Sequence, residues 1–121
     1  MSKADREIYR EVGTELLFEN DRVRVWGMEL APGESSPYHR HESDYVYVYT
    51  TPSRISAHIP GEPEVARDYQ ESFVQYTEVG DGIEHHITNA GDERHHQIIV
   101  ELKGRIASDT PQPAENNSRF V

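Results

Sequence analysis

The chain has 121 residues, no cysteine, 35% hydrophobic residues and a formal net charge of −10. This length suits one domain with a hydrophobic core, and the lack of cysteine excludes disulfides, thiolate ligands and a cysteine nucleophile. The negative charge argues against a nucleic-acid partner, because the basic residues form no stripe with interleaved aromatic residues.

The chain begins with a polar segment of 13 residues. Ile8 and Val12 lie four residues apart, but Ser2 and Lys3 make a helix marginal, so we predict an N-terminal arm over 1–13. This segment has no apolar signal core, and no stretch of the chain is long enough to span a membrane. We therefore expect a cytoplasmic protein without membrane contacts.

Short strands separated by turn residues follow the arm. We predict strands at about 14–19, 22–30, 38–50, 54–59, 64–69, 73–79, 85–88 and 95–103. Glycine, proline, asparagine and aspartate cluster between them and accept turn dihedrals. Many short strands at this spacing indicate an all-β sandwich or barrel, which we place at 14–105. The polar residues 106–121 are predicted to form a flexible C-terminal tail.

Two histidines one residue apart, His39 and His41, stand on the predicted strand 38–50. Side chains at i and i+2 of a strand point to the same face, so both imidazoles enter one space. His85 follows 44 residues after His41, within a G-x2-H-x3-N pattern that ends at Asn89. Three such imidazoles predict a divalent metal site suited to Fe(II), Mn(II), Ni(II), Co(II) or Zn(II), and the ligand type does not choose between these ions. The alternative is three histidines that bear no metal.

These residues and their flanks resemble the cupin family. Gly33 to His41 fits the first cupin motif, G-x5-H-x-H, and Gly80 to Asn89 fits the second, PxGxxHxxxN, with glycine in place of proline. The resemblance covers roughly residues 14–103 and implies a small jelly-roll barrel, a double-sheet β-sandwich, with a metal near its mouth. Three further runs resemble small bacterial cupins labelled beta-alanine degradation proteins: 20–26, 30–34 and 100–103.

One position departs from the cupin pattern. Cupins usually place a glutamate ligand four residues after the second histidine, where this chain has Tyr45. Strand parity extended from the two histidines puts Tyr45, Tyr47 and Tyr49 on the inward face, with Asp44 on the other. Some metal-dependent cupins, including lyases acting on small sulfonium acids, keep a tyrosine where Tyr47 stands. The resemblance marks Tyr45 and Tyr47 as candidate metal ligands or catalytic bases, against the alternative of core packing.

The loss of a carboxylate ligand makes the metal site more positive and favours a small anionic, carboxylate-bearing substrate. Three basic residues are candidate partners for that carboxylate and otherwise surface charges: Arg40, Arg54 and Arg67. No acid–base pair identifies itself. Three acidic residues beside the motifs are expected at a solvated rim: Glu42, Asp44 and Glu84.

The remaining histidines are assigned to other roles. His86 follows a candidate ligand and should face solvent or an interface, and His58 is assigned a structural role in preference to lining the pocket. His96 shares parity with Ile98 and Val100, which form the apolar face of the last strand, so we predict a core histidine there.

Two strands carry apolar residues on both faces. Val46 and Val48 face outward from the tyrosine strand, while Val23 and Val25 lie opposite in parity to Trp26. A strand of this kind in a small barrel is commonly covered by a second subunit, so we predict a homodimer. The alternative is that the arm or the tail covers these valines.

Two functions from different classes follow. The first is a metal-dependent cupin enzyme of dioxygenase, lyase or isomerase type, acting on a small carboxylate-bearing metabolite. The second is a non-catalytic cupin that binds or senses a small molecule, and the missing glutamate favours it. Fold does not choose between them, because cupin barrels host many reactions.

Overall fold

Nine antiparallel strands form two packed sheets in the computed structural model, which describes residues 11–104. The strands are β1 (Glu15–Glu19), β2 (Val23–Leu30), β3 (His39–His41), β4 (Tyr45–Tyr49), β5 (Ser53–His58), β6 (Val65–Tyr69), β7 (Val74–Thr77), β8 (Ile83–Asn89) and β9 (His95–Leu102). Residues 11–104 contain no helix, and so none that could cross a membrane. The all-β prediction is confirmed. The predicted tail and the first ten residues of the arm lie outside the described residues.

The two sheets differ in size and in what they carry. The five-stranded sheet has the order β1-β2-β9-β4-β7, and the four-stranded sheet has the order β3-β8-β5-β6. Their inner faces enclose the core, to which β2 contributes Trp26, Met28 and Leu30. Val12, from the predicted arm, is 1% exposed and belongs to the same core.

The predicted strand 38–50 is two strands in different sheets. β3 pairs with β8, whereas β4 pairs with β7 and β9, so the chain changes sheets at residues 42–44. Asp44 lies at this crossing, where it is 6% exposed and its Oδ1 accepts a hydrogen bond of 3.0 Å from the Val79 amide. The prediction of a solvated rim position for Asp44 was wrong, because the crossing needs a buried acceptor.

The parity predicted for β9 was also wrong. The inward face carries His95, Gln97, Ile99 and Glu101, each at most 4% exposed, while His96 lies on the outer side and contacts Thr50. His95 is tolerated inside because both ring nitrogens have hydrogen-bond partners, in Gln97 and Ser53. The Trp26 indole donates to Glu101 Oε1 at 2.7 Å.

Candidate metal centre and cavity

Three imidazoles converge on the inner face of the four-stranded sheet. His39 stands directly opposite His85 in the antiparallel register of β3 and β8, and His41 follows two residues along the same face. The Nε2 atom of His41 lies 3.1 Å from that of His39 and 3.1 Å from that of His85. Their candidate ligand atoms all lie within 4.8 Å of one another. The sequence prediction that these three histidines form one cluster agrees with this geometry.

The protonation of this cluster follows from its surroundings. His39 Nδ1 lies 2.8 Å from the carbonyl oxygen of Pro37, which only accepts, so Nδ1 carries the proton and Nε2 a lone pair. Burial, followed by the neighbouring His85 and His39 rings, lowers the pKa of His41 to about 2. Burial, followed by His39 and His86, lowers the pKa of His85 to about 3. All three rings are neutral at physiological pH, the form that binds metal.

The donor set fits a divalent transition metal. Neutral imidazole Nε2 atoms on one sheet face are ligands for such ions. The Nε2 lone pair of His39 points toward His41. A single proton on His41 Nε2 can be donated to only one of the two neighbouring rings, so nitrogen lone pairs are left facing one another. A cation removes this repulsion. The buried Nδ1 of His41 has no hydrogen-bond partner among residues 11–104, and the ring is held by packing on Tyr45.

A ladder of aromatic rings leads away from the histidines along β4. Tyr45 stacks on His41 with ring centroids 4.0 Å apart and an interplanar angle of 13°. Tyr45 and Tyr47 are 6.1 Å apart, and Tyr47 and Tyr49 are 5.4 Å apart. The three tyrosines share the inward face, as predicted, although the change of sheet breaks the strand on which the parity argument rested.

The tyrosine hydroxyls are protonated and engaged. Burial raises the pKa of Tyr45 to about 12, against the opposing effect of a hydrogen bond with Thr77. Burial also raises the pKa of Tyr47, followed by its tyrosine neighbours, and its hydroxyl donates to Gln75 Oε1 at 3.3 Å. Both therefore hold their protons at neutral pH in the metal-free protein.

The histidines and the ladder line one cavity of about 270 Å³ between the sheets. Its walls are formed by Val12, Met28, His39, His41, Tyr45, Tyr47, Tyr49, Ile55, Ala57, Ile59, Tyr69, Gln75, Thr77, Ile83, His85, Ile87, Gln97 and Ile99. No lysine, arginine, aspartate or glutamate occurs among these described lining residues. Sequence reasoning missed Gln75, Thr77 and Gln97. For Gln97 the signal was the alternation along the last strand, which was read with the wrong parity.

The three candidate arginines stay outside this cavity. Arg40 pairs with Glu84 at 3.1 Å and with Glu42 at 3.0 Å. Arg54 pairs with Asp68 at 2.9 Å, and Arg67 is exposed on β6. They are surface charges, the alternative that the sequence had left open.

No protein-family model matches the chain, and no curated protein matches it. Among solved structures, a cupin domain from Bordetella pertussis Tohama I is 26% identical, with a TM-score of 0.68, over 81% of this chain and 98% of that chain.

The chain has the fold of a small cupin barrel. A Cupin 2 conserved barrel domain protein from Salinispora arenicola CNS-205 is 20% identical with a TM-score of 0.57, over 99% of this chain and 91% of that chain. The polyketide cyclase RemF from Streptomyces resistomycificus is 16% identical with a TM-score of 0.58, over 88% and 80% of the two chains, which shows a shared fold. The beta-alanine degradation label has no support, since no curated protein matches.

Asn89 ends the second histidine motif, and its side chain forms hydrogen bonds with backbone groups. Its side chain is 1% exposed, and Nδ2 donates to the carbonyl groups of Leu30 and Glu93 at 3.0 and 2.8 Å. Its Oδ1 accepts from the Gly91 amide at 3.0 Å. The asparagine therefore ties the end of β8 to β2 and to the turn that leads into β9.

His58 and His86 lie outside this cavity. Their rings stack with centroids 4.9 Å apart, and His58 Nδ1 lies 3.6 Å from Glu64. His86 also meets the Tyr38 ring edge-on at 6.1 Å. The prediction that His86 faces away from the metal ligands agrees with this placement.

Proposed function

We propose that this cupin is a metal-dependent enzyme that acts on a small carboxylate-bearing molecule held in the tyrosine-lined cavity. The observation that carries the proposal is the convergence of three neutral imidazole Nε2 atoms on the wall of that cavity, with that of His41 3.1 Å from each of the other two. His39, His41 and His85 hold the metal. The reaction is of dioxygenase, lyase or isomerase type.

A divalent metal bound by three histidines supplies Lewis acidity and free coordination positions for an oxygen-bearing substrate. The chain supplies the rest of the site. Its apolar walls exclude water and surround the body of the substrate, and no basic side chain of the described lining competes for a carboxylate. Tyr45 stacks on the ligand His41, Tyr47 is the next ring along the ladder, and both hold their protons.

The test of the metal site is a His41→Ala variant compared with wild type and with a His86→Ala control. His86 follows a ligand in sequence but faces away from the cluster, so this control should keep its metal. We expect about one divalent metal per wild-type chain by inductively coupled plasma mass spectrometry, and its loss from His41→Ala. Turnover of a panel of small keto- and hydroxycarboxylates, followed by mass spectrometry, should disappear with the metal.

The proposal fails if the wild-type protein holds no metal after anaerobic reconstitution with Fe, Mn, Ni, Co and Zn. It also fails if His41→Ala retains full turnover.

A second function, a non-catalytic cupin that binds or senses a small molecule, has one observation in its favour. The described cavity lining has no carboxylate or lysine, and the pKa values of Tyr45 and Tyr47 are raised. No side chain there is a ready base at neutral pH. In this case His41→Ala leaves ligand binding nearly intact.

The catalytic role of Tyr47 has its own prediction. If its hydroxyl holds a proton that moves during the reaction, Tyr47→Phe should lower kcat by about 100-fold while the metal content stays constant. Tyr69→Phe, a change in a tyrosine of the same cavity on β6, is the control and should retain turnover. Unchanged turnover in Tyr47→Phe removes this role.

A further inference from the structure

A buried histidine fixes the orientation of a glutamine on the cavity wall. His95 is fully buried, and its Nε2 lies 2.6 Å from Gln97 Oε1. An amide oxygen only accepts, so Nε2 carries the proton and donates. Nδ1 then accepts from the Ser53 hydroxyl at 2.7 Å. Burial lowers the pKa of His95, in keeping with a neutral ring.

This arrangement leaves the amide nitrogen of Gln97 to face the cavity. The Oε1 end is held by His95, and Nε2 has no hydrogen-bond partner within the part of the chain that the structure describes. Gln97 is 4% exposed and lines the cavity. The wall therefore presents uncharged N–H donors at this point.

Gln97 and the histidine cluster lie at opposite ends of the tyrosine ladder. Gln97 pairs with Tyr49 across β9 and β4, and Tyr49 meets His95 edge-on at 4.7 Å. Tyr45 stacks on His41 at the other end. Four residues of antiparallel strand separate Tyr45 from Tyr49, about 13 Å.

We propose that Gln97 is a specificity-determining residue, which donates a hydrogen bond to an uncharged carbonyl or ether oxygen at the end of the substrate remote from the metal. His95 is its positioning residue. The inference rests on the proposed function, in which the other end of the substrate binds through its carboxylate. The substrate class is then a small carboxylate with an apolar middle and a neutral acceptor at its far end.

The size and charge of the cavity support this class. A volume of about 270 Å³ is slightly below the range of roughly 300–1,000 Å³ that drug-sized ligands occupy, so the ligand is compact. A second carboxylate at the far end would meet no cation of the described lining and would lose its hydration. A neutral oxygen costs less to desolvate and matches the amide donors.

The test uses three probes of equal chain length on the zinc-loaded protein: 6-oxoheptanoate, heptanoate and heptanedioate. By calorimetry we expect 6-oxoheptanoate to bind about 5-fold more tightly than heptanoate, the effect of one net hydrogen bond. Heptanedioate should bind at least about 10-fold more weakly than 6-oxoheptanoate, because its far end stays charged. Equal affinity for the three probes, or no binding of any of them, overturns the proposal.

Two variants separate the donor from simple packing. Gln97→Met keeps the shape and removes the donor, and Gln97→Glu keeps the acceptor for His95 while it presents no N–H to the cavity. Both should lose the preference for 6-oxoheptanoate over heptanoate. His95→Phe, which frees the amide to turn, should reduce the preference while Gln97 remains. A preference that persists in both Gln97 variants sinks the assignment.

Nuclear magnetic resonance detects an effect of the ligand on Gln97 that a purely structural role of this residue would not produce. The side-chain amide of Gln97, assigned by its absence in Gln97→Met, should shift on addition of 6-oxoheptanoate but much less on addition of heptanoate. The neutral ketone 2-heptanone should shift the same resonances in metal-free protein. If only the metal site is wrong, 2-heptanone should still shift the resonances of the Gln97 amide. If the Gln97 assignment is wrong, this shift should be absent while the metal content stays normal.

Discussion

Asn89 shows how one motif residue stabilises the fold without touching the reacting centre. Its side chain satisfies the backbone groups of Leu30, Gly91 and Glu93. Asn89→Ala leaves these groups without their partner, and we expect a loss of about 3 kcal/mol in the free energy of unfolding. Urea denaturation measures this loss.

Asn20→Ala is the matched control for Asn89→Ala. Asn20 Oδ1 also accepts from two backbone amides, at Arg22 and Val23, but in an exposed turn where water replaces it. Its loss should cost less than about 1 kcal/mol. Equal losses in the two variants, or loss of metal from folded Asn89→Ala, would contradict the structural role.

At the residue scale, the sequence predicts side chains whose spacing fixes their geometry. His39 and His41 share a face because two residues separate them on one strand, and their motif places His85 with them. Gln97 escapes such reasoning, because the direction of an amide depends on its partner. Its partner here is His95, which stands on the same strand and shares the face opposite to the one predicted to point inward.

At the element scale, the connection between β7 and β8 contains two glycines that differ in their surroundings. Gly80 has φ of 56° and open space where a side chain would lie, whereas Gly82 has φ of 119° and faces the Arg40 guanidinium. A Cβ at Gly82 would displace Arg40 from the Asp81 carbonyl and from Glu84. The positive φ favours glycine at this position, and a Cβ would in addition move the flexible end of Arg40.

We expect Gly82→Ala to lower the free energy of unfolding by about 2 kcal/mol, since it combines backbone strain with lost pairing. Gly80→Ala should cost about 1 kcal/mol, the usual penalty of the left-handed region. Thermal and urea unfolding measure both. In the Gly82→Ala protein, the further change Arg40→Ala should lower the free energy of unfolding less than it does in the wild-type protein. Equal effects of the two glycine changes would exclude the contact with Arg40.

Strand positions could be predicted from turn residues and alternation, but sheet membership could not. Residues 39, 41 and 45 have the same inward parity on either side of the crossing, so the alternation does not reveal the change of sheet. On β9 both faces are regular, one apolar and one mixed, and the apolar face was assigned inward. The inner face can hold polar groups because Glu101 accepts from Trp26, and because His95 bonds to Gln97 and Ser53.

At the scale of the whole molecule, the outer face of the five-stranded sheet is apolar. Register places these side chains on that face: Phe18, Val23, Val25, Val46, Val48, Val74, Ile98, Val100 and Leu102. Phe18 is 54% exposed and Leu102 is 36% exposed. A continuous face of this kind, without a charge at its centre, suits a second copy of the chain related by two-fold symmetry.

We expect the protein to sediment as a dimer and Val48→Glu, at the centre of this face, to yield monomers. Val65→Glu is the control, because Val65 is 48% exposed on the other sheet and should leave the dimer intact. Analytical ultracentrifugation distinguishes them. A wild-type monomer at all accessible concentrations would mean that other parts of the same chain cover the face.

The crossing at residues 42–44 has a consequence for how such a chain diversifies. The position of β4 is set by its neighbours β7 and β9, and that of β3 by β8. An insertion at residues 42–43, ahead of the buried Asp44, therefore does not reverse the faces of either strand, unlike a slip within one continuous strand. We expect such a change to leave the histidine face and the tyrosine wall each intact, with the stacking of Tyr45 on His41 as the contact that joins them.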